Sequence, residues 1–143
     1  MITVLLDSSN TNLSVGVAKD NLLLECISYE AWQRQSEYMI LELDKLFTKY
    51  GISKDDISDV MVAKGPGSYT GVRIAITIAK TIATALDAEL YAVSSLRVLK
   101  NHAEPSICLI LRGSAEPLHG IYNKERWRTC RPQTDAGRAE RAR

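Results

Sequence analysis

A strand-like run at residues 57–63 feeds a turn with two glycines around a proline, and that turn opens directly into a long apolar segment at residues 70–86. The junction reads Gly65-Pro66-Gly67-Ser68-Tyr69-Thr70-Gly71-Val72-Arg73. A strand, glycine turn and helix in this order, among strands that alternate with helices, suggest an α/β arrangement. The unpaired amides and dipole of a helix N-terminus also suit an anion. Two readings stay open. A Walker loop needs a lysine before a hydroxyl residue, and a dinucleotide fingerprint needs its third glycine one residue earlier than Gly71. The sequence satisfies neither, so Gly65 and Gly67 could serve only backbone conformation and Gly71 only close packing. On the anion reading, Asp7, Ser8, Gly65, Gly67, Ser68, Thr70, Gly71 and Arg73 are the expected contacts. Arg73 in the first helical turn opposes the dipole, which calls for an external carboxylate or phosphate.

The helix expected at residues 70–86 is apolar on more than one face. Gly71, Ala75, Ala79 and Ala83 form a small-residue row at i+4 spacing, and Ile74, Ile78 and Ile82 form a bulky row beside it. A one-sided surface helix shows only a stripe, so a second helix is expected to cover this one through its small row. Tyr38, Ile40 and Leu41 lie off the main stripe of the preceding helix. They complete an expected partner or dimer surface with Gly71, Ala75, Ile78, Ala79, Ile82 and Ala83. Burying two further isoleucines there is worth about 3–6 kcal/mol before entropy is deducted. A membrane span is not expected, because Arg73 and Lys80 interrupt a segment shorter than the roughly 20 residues a bilayer needs.

Periodicity supplies the rest of the order. Residues 2–6, 13–17 and 22–29 read as an opening antiparallel meander, with Asp20-Asn21 as a tight turn. Met39, Leu43, Leu46, Phe47 and Tyr50 form one helical stripe, with Ser36 as the expected N-cap and Gly51 as the stop. Residues 90–93 read as a further strand, Ser94 or Ser95 caps a short helix to about His102, and residues 107–111 begin another strand. Three strands, helix, strand, helix, strand, helix make a mixed sheet covered by helices.

Composition divides the chain. Residues 1–111 carry a net charge of −3 and mostly lysine as the base, whereas residues 112–143 carry +4 and mostly arginine. Residues 1–104 are read as the first lobe, 105–126 as the start of a second, incomplete one, and 127–143 as an arginine-rich tail without regular structure. That tail could be a basic arm for RNA, but no aromatic residues alternate with its arginines as a stacking platform requires. Cys26, Cys108 and Cys130 give neither a disulfide framework nor a CxxC pair, and His102 and His119 have no second ligand in a metal spacing. Residues 1–7 lack the basic flank of a secretory signal, so a cytoplasmic location is expected.

No catalytic constellation is visible. Asp7, at the end of the first strand, could handle a metal or nucleotide, or could simply initiate a turn by bonding its own backbone. A Ser-His-Asp order with a nucleophile elbow is absent, and Asp55, Asp56 and Asp59 fit a capping role.

The opening Leu5-Leu6-Asp7-Ser8-Ser9, then Leu13-Ser14-Val15, the stretch Gly65 to Arg73 quoted above, and Val93-Ser94-Ser95-Leu96 together resemble the TsaB (YeaZ) family over residues 1–111. The resemblance implies one lobe of the actin-like, sugar kinase and Hsp70-type ATPase fold, with a ribonuclease H-like mixed sheet. It also implies a noncatalytic partner in bacterial synthesis of N6-threonylcarbamoyladenosine in tRNA. Such a subunit binds the catalytic TsaD-type paralogue in an assembly joined by a TsaE-type ATPase, pairs with itself through its first two helices, and meets tRNA only indirectly. No cofactor is implied for the chain by itself; ATP or ADP belongs to the assembled complex. Alternatives are an independent nucleotide hydrolase or kinase of the same fold, and a glycoprotease-like peptidase. The peptidase is disfavoured by Gln35, which stands where such chains often keep a single histidine. Family members carry a full second lobe, so a truncated gene or shifted reading frame is expected to account for the lysine-to-arginine switch.

Overall fold

The computed structural model describes residues 1–31 and 34–99, together with the strands Ile107–Arg112, Ala115–Asn123 and Arg126–Cys130. These fall into two compact units, Met1–Val98 and Leu99–Arg143.

The first unit opens with β1 (Ile2–Asp7), β2 (Asn12–Lys19) and β3 (Leu22–Glu30), joined as an antiparallel meander. Asp20 and Asn21 take φ of 49° and 66°, the doubly left-handed turn whose twist matches a two-residue hairpin. Helix α1 (Gln35–Tyr50), a single 3₁₀ turn at Lys54–Asp56 and strand β4 (Ile57–Ala63) follow. Helix α2 (Tyr69–Leu86), β5 (Glu89–Val93) and the short α3 (Ser95–Val98) complete the unit. The sheet order is β3-β2-β1-β4-β5, with β4 parallel to β1 and β5 parallel to β4. This is the mixed sheet covered by helices that the element order predicts, and it agrees with the ribonuclease H-like sheet that the family resemblance implies.

Strict alternation in β1 sends Ile2, Val4 and Leu6 to one face, where they meet Val15 and Val17 of β2 and Val60 and Val62 of β4. Helix α1 packs over β2, and α2 lies over β1 and β4. Met39, Leu43 and Leu46 are the residues α1 buries in that core, as its stripe predicts. Gly51 ends α1 with φ 61°, again as expected. The N-cap differs: Arg34 holds that position without a side-chain cap, and Ser36 lies inside the first turn. The Arg34–Glu37 pair, at 2.6 Å, stands at this end instead, with the Glu37 carboxylate complementing the dipole.

The small row of α2 requires a larger correction. Gly71, Ala75, Ala79 and Ala83 are all buried in the chain's own core, so they are unavailable to a partner. Their small size lets the helix axis come close to the sheet rather than to a second helix. The bulky row, Ile74, Ile78 and Ile82, is left half-buried at the flank of the helix.

The second unit holds a three-stranded antiparallel sheet, β6 (Ile107–Arg112), β7 (Ala115–Asn123) and β8 (Arg126–Cys130), in sequence order. Residues 127–130, expected to begin an unstructured tail, therefore lie in a strand that pairs with β7. Residues 131–143 and His102 lie outside the described residues.

Candidate functional site

The glycine loop connects β4 to α2 and is tied down from two sides. Gly65, at φ 92°, donates its N–H to Ser95 Oγ at 3.1 Å, while the Ser95 N–H donates to the Gly65 carbonyl at 2.9 Å. This reciprocal pair fastens the loop to the start of α3. On the other side sits the β1–β2 loop. The Ser68 N–H donates to the Ser9 carbonyl at 2.6 Å, and the buried Ser8 hydroxyl donates to the Gly71 carbonyl at 2.7 Å.

These contacts explain the glycines. A Cβ at Gly67 would overlap the Ser9 carbonyl, and one at Gly71 would overlap the Ser8 carbonyl. The residues are glycine because another backbone passes where their side chains would be. Asp7 serves the same junction by accepting the Ser9 N–H on Oδ1 at 2.7 Å, the turn-initiating role open to it in the sequence.

Several of the expected anion contacts are therefore brought together and engaged within the chain. The Ser8 hydroxyl, Gly71 and Ser68 are linked in one chain of bonds, in which the Gly71 N–H donates to the Ser68 Oγ that caps α2, at 3.3 Å, while Asp7 and the Ser68 N–H are taken up by Ser9. Ser8 and Gly71 are buried, which takes them out of reach of a nucleotide in this arrangement. Gly65 is held by Ser95. Thr70 and Arg73 stay exposed, and the Arg73 Nη1 donates to the Tyr69 hydroxyl at 2.7 Å, with the guanidinium 5.1 Å from the ring centroid.

The helix pair presents the second candidate surface. A groove of about 370 Å³ is lined by Ser36 of α1 and by Tyr69, Thr70, Arg73, Ile74, Thr77 and Ile78 of α2. Ile40 and Leu41 are 48% and 51% exposed on the outer side of α1. Tyr38 is half-buried, edge-on to Tyr29 at 6.2 Å and beneath the Arg34 guanidinium at 4.9 Å. Of the expected partner residues, Tyr38, Ile40, Leu41, Ile78 and Ile82 thus keep accessible surface. The sequence reading missed Ser36, Tyr69 and Thr77 as groove-lining residues, although Thr77 follows Arg73 at i+4, a spacing that places both on one helix face.

Helix α1 is fixed by two polar ties. Glu42 is buried and accepts from the Tyr29 hydroxyl at 3.1 Å and from Lys45 Nζ at 2.8 Å. Burial and the adjacent Glu42 carboxylate raise the Tyr29 phenol above its usual range. Near the C-terminal end of α1, Lys49 Nζ and the Tyr50 hydroxyl reach Glu25 of β3 at 2.6 and 2.9 Å. The Lys49 bond first, and the Tyr50 bond second, hold the Glu25 carboxyl below the ordinary glutamate range. Among the described residues, no three His, Cys, Asp or Glu side chains are grouped to hold a metal, and no helix is long and apolar enough to cross a membrane.

Residues 29–135 match the family described as "TsaD: tRNA N6-adenosine threonylcarbamoyltransferase". Over 100 residues the chain is 39% identical to the tRNA threonylcarbamoyladenosine biosynthesis protein TsaB of Bacillus subtilis, covering 69% of this chain and 43% of that protein. The chain belongs to the TsaB (YeaZ) family. TsaB of Escherichia coli is 34% identical over 76 residues, covering 52% of this chain and 33% of its own length. YeaZ from Pseudomonas aeruginosa shares the fold, with a TM-score of 0.79 and 23% identity over 90% of this chain and 64% of that one. The chain spans less than half the length of the Bacillus subtilis relative it matches. Within the family frame, the Gly65 to Arg73 stretch that carries the resemblance is an internal lock on the β1–β2 loop.

Proposed function

We propose that this chain is a noncatalytic partner subunit in synthesis of tRNA N6-threonylcarbamoyladenosine. It binds a TsaD-type catalytic paralogue through the exposed side of α1 and α2. The pathway rests on the relatives' names. The observation that carries the binding role is the groove along α2, closed on one side by Ser36 of α1, where apolar Ile74 and Ile78 lie beside the Tyr69–Arg73 pair, together with the exposed Ile40 and Leu41 on α1. Tyrosine and arginine beside an apolar centre are the residue types that dominate binding energy at protein interfaces. The glycine loop is consistent with the same reading, because Ser8 and Gly71, two of its expected anion contacts, are buried against each other.

In this reading the chain also pairs with itself through its first two helices. A TsaE-type ATPase joins the assembly, ATP or ADP acts in that complex rather than on the lone chain, tRNA is met indirectly, and the setting is the cytoplasm.

Size-exclusion chromatography with light scattering, on the chain alone and mixed with a purified TsaD-type protein, tests the proposal. Co-elution that is lost in Leu41→Glu and Ile78→Glu, with both variants still folded by circular dichroism, is the expected result. No co-elution, or co-elution indifferent to both substitutions, removes the basis of the proposal.

A further inference from the structure

We draw no further inference here: the strongest candidate, the cleft of about 440 Å³ on the second face of the five-stranded sheet, lined by Leu5, Asp7, Ser14, Cys26, Met61 and Val98, carries nothing because nothing in the structure shows what covers that face.

Discussion

The Ser8 hydroxyl donates to the Gly71 carbonyl at 2.7 Å in a fully buried contact that joins the end of the first strand to the first turn of α2. The Ser8 carbonyl in turn occupies the space a side chain at Gly71 would need. The backbone at each position thus constrains the side chain at the other: a hydroxyl is wanted at position 8, and the absence of a Cβ is wanted at position 71.

Gly71→Ala is therefore expected to destabilise the chain even though alanine is the better helix former by about 1 kcal/mol. The new methyl group meets a backbone carbonyl, which cannot swing aside as a flexible side chain would. Overpacking of this kind costs about 1–3 kcal/mol, and Ser8→Ala, which leaves the contact unmade, costs about 1–2 kcal/mol. Urea denaturation of both variants checks this. A Gly71→Ala protein as stable as the parent would mean that the β1–β2 loop is not seated on the helix.

Ligand binding gives the second test of the same lock. With Ser8 and Ser9 packed onto the loop, Mg-ATP at millimolar concentration is expected to leave the melting temperature of the lone chain unchanged. A ligand present at 100 times its Kd would add about 2.7 kcal/mol. A clear upward shift would restore the nucleotide-binding reading and overturn the inward-facing one.

Much of the architecture was legible in the sequence because periodicity and turn chemistry are local. The stripe of α1, the Asp20-Asn21 turn and the glycine stop at Gly51 all depend on residues close together in the chain. The roles of Gly67 and Gly71 depend on Ser8 and Ser9, some sixty residues away, and no local pattern carries that information. The small row of α2 failed for a related reason. A helical repeat tells which residues share a face, but whether alanines there admit a sheet or a second helix is decided by tertiary packing. Ser36 was misplaced as a cap by only two positions, the ordinary uncertainty of a helix end.

The two rows on α2 and α1 separate core from surface in a single experiment. Ala79 is 0% exposed, so Ala79→Glu must bury a charge with no partner beside β1 and β4 and is expected to cost at least about 3 kcal/mol or abolish folding. Leu41→Glu, at a position half open to solvent, is expected to change stability by no more than about 0.5 kcal/mol. Thermal melts followed by circular dichroism read both. Equal tolerance at the two sites would place the alanine row on the outside after all.

The polar tie at the end of α1 gives a pH dependence with a definite sign. Lys49 and Tyr50 lower the Glu25 carboxyl below the ordinary glutamate value of about 4.3. Such a group stabilises the folded chain above that value, and the stabilisation is lost as the pH falls through the lowered one. Lys49 is shifted upward by the same bond, so its share persists through neutral pH and disappears only as strong base removes the ammonium proton. The gap in melting temperature between the parent and Glu25→Gln should accordingly be open at pH 7 and narrow as the pH falls below about 4. It should also narrow in 1 M salt, because the pair lies at the surface, where ions screen it. A gap that is constant from pH 7 to pH 3 would assign the effect of Glu25 to packing of its side chain and not to its charge.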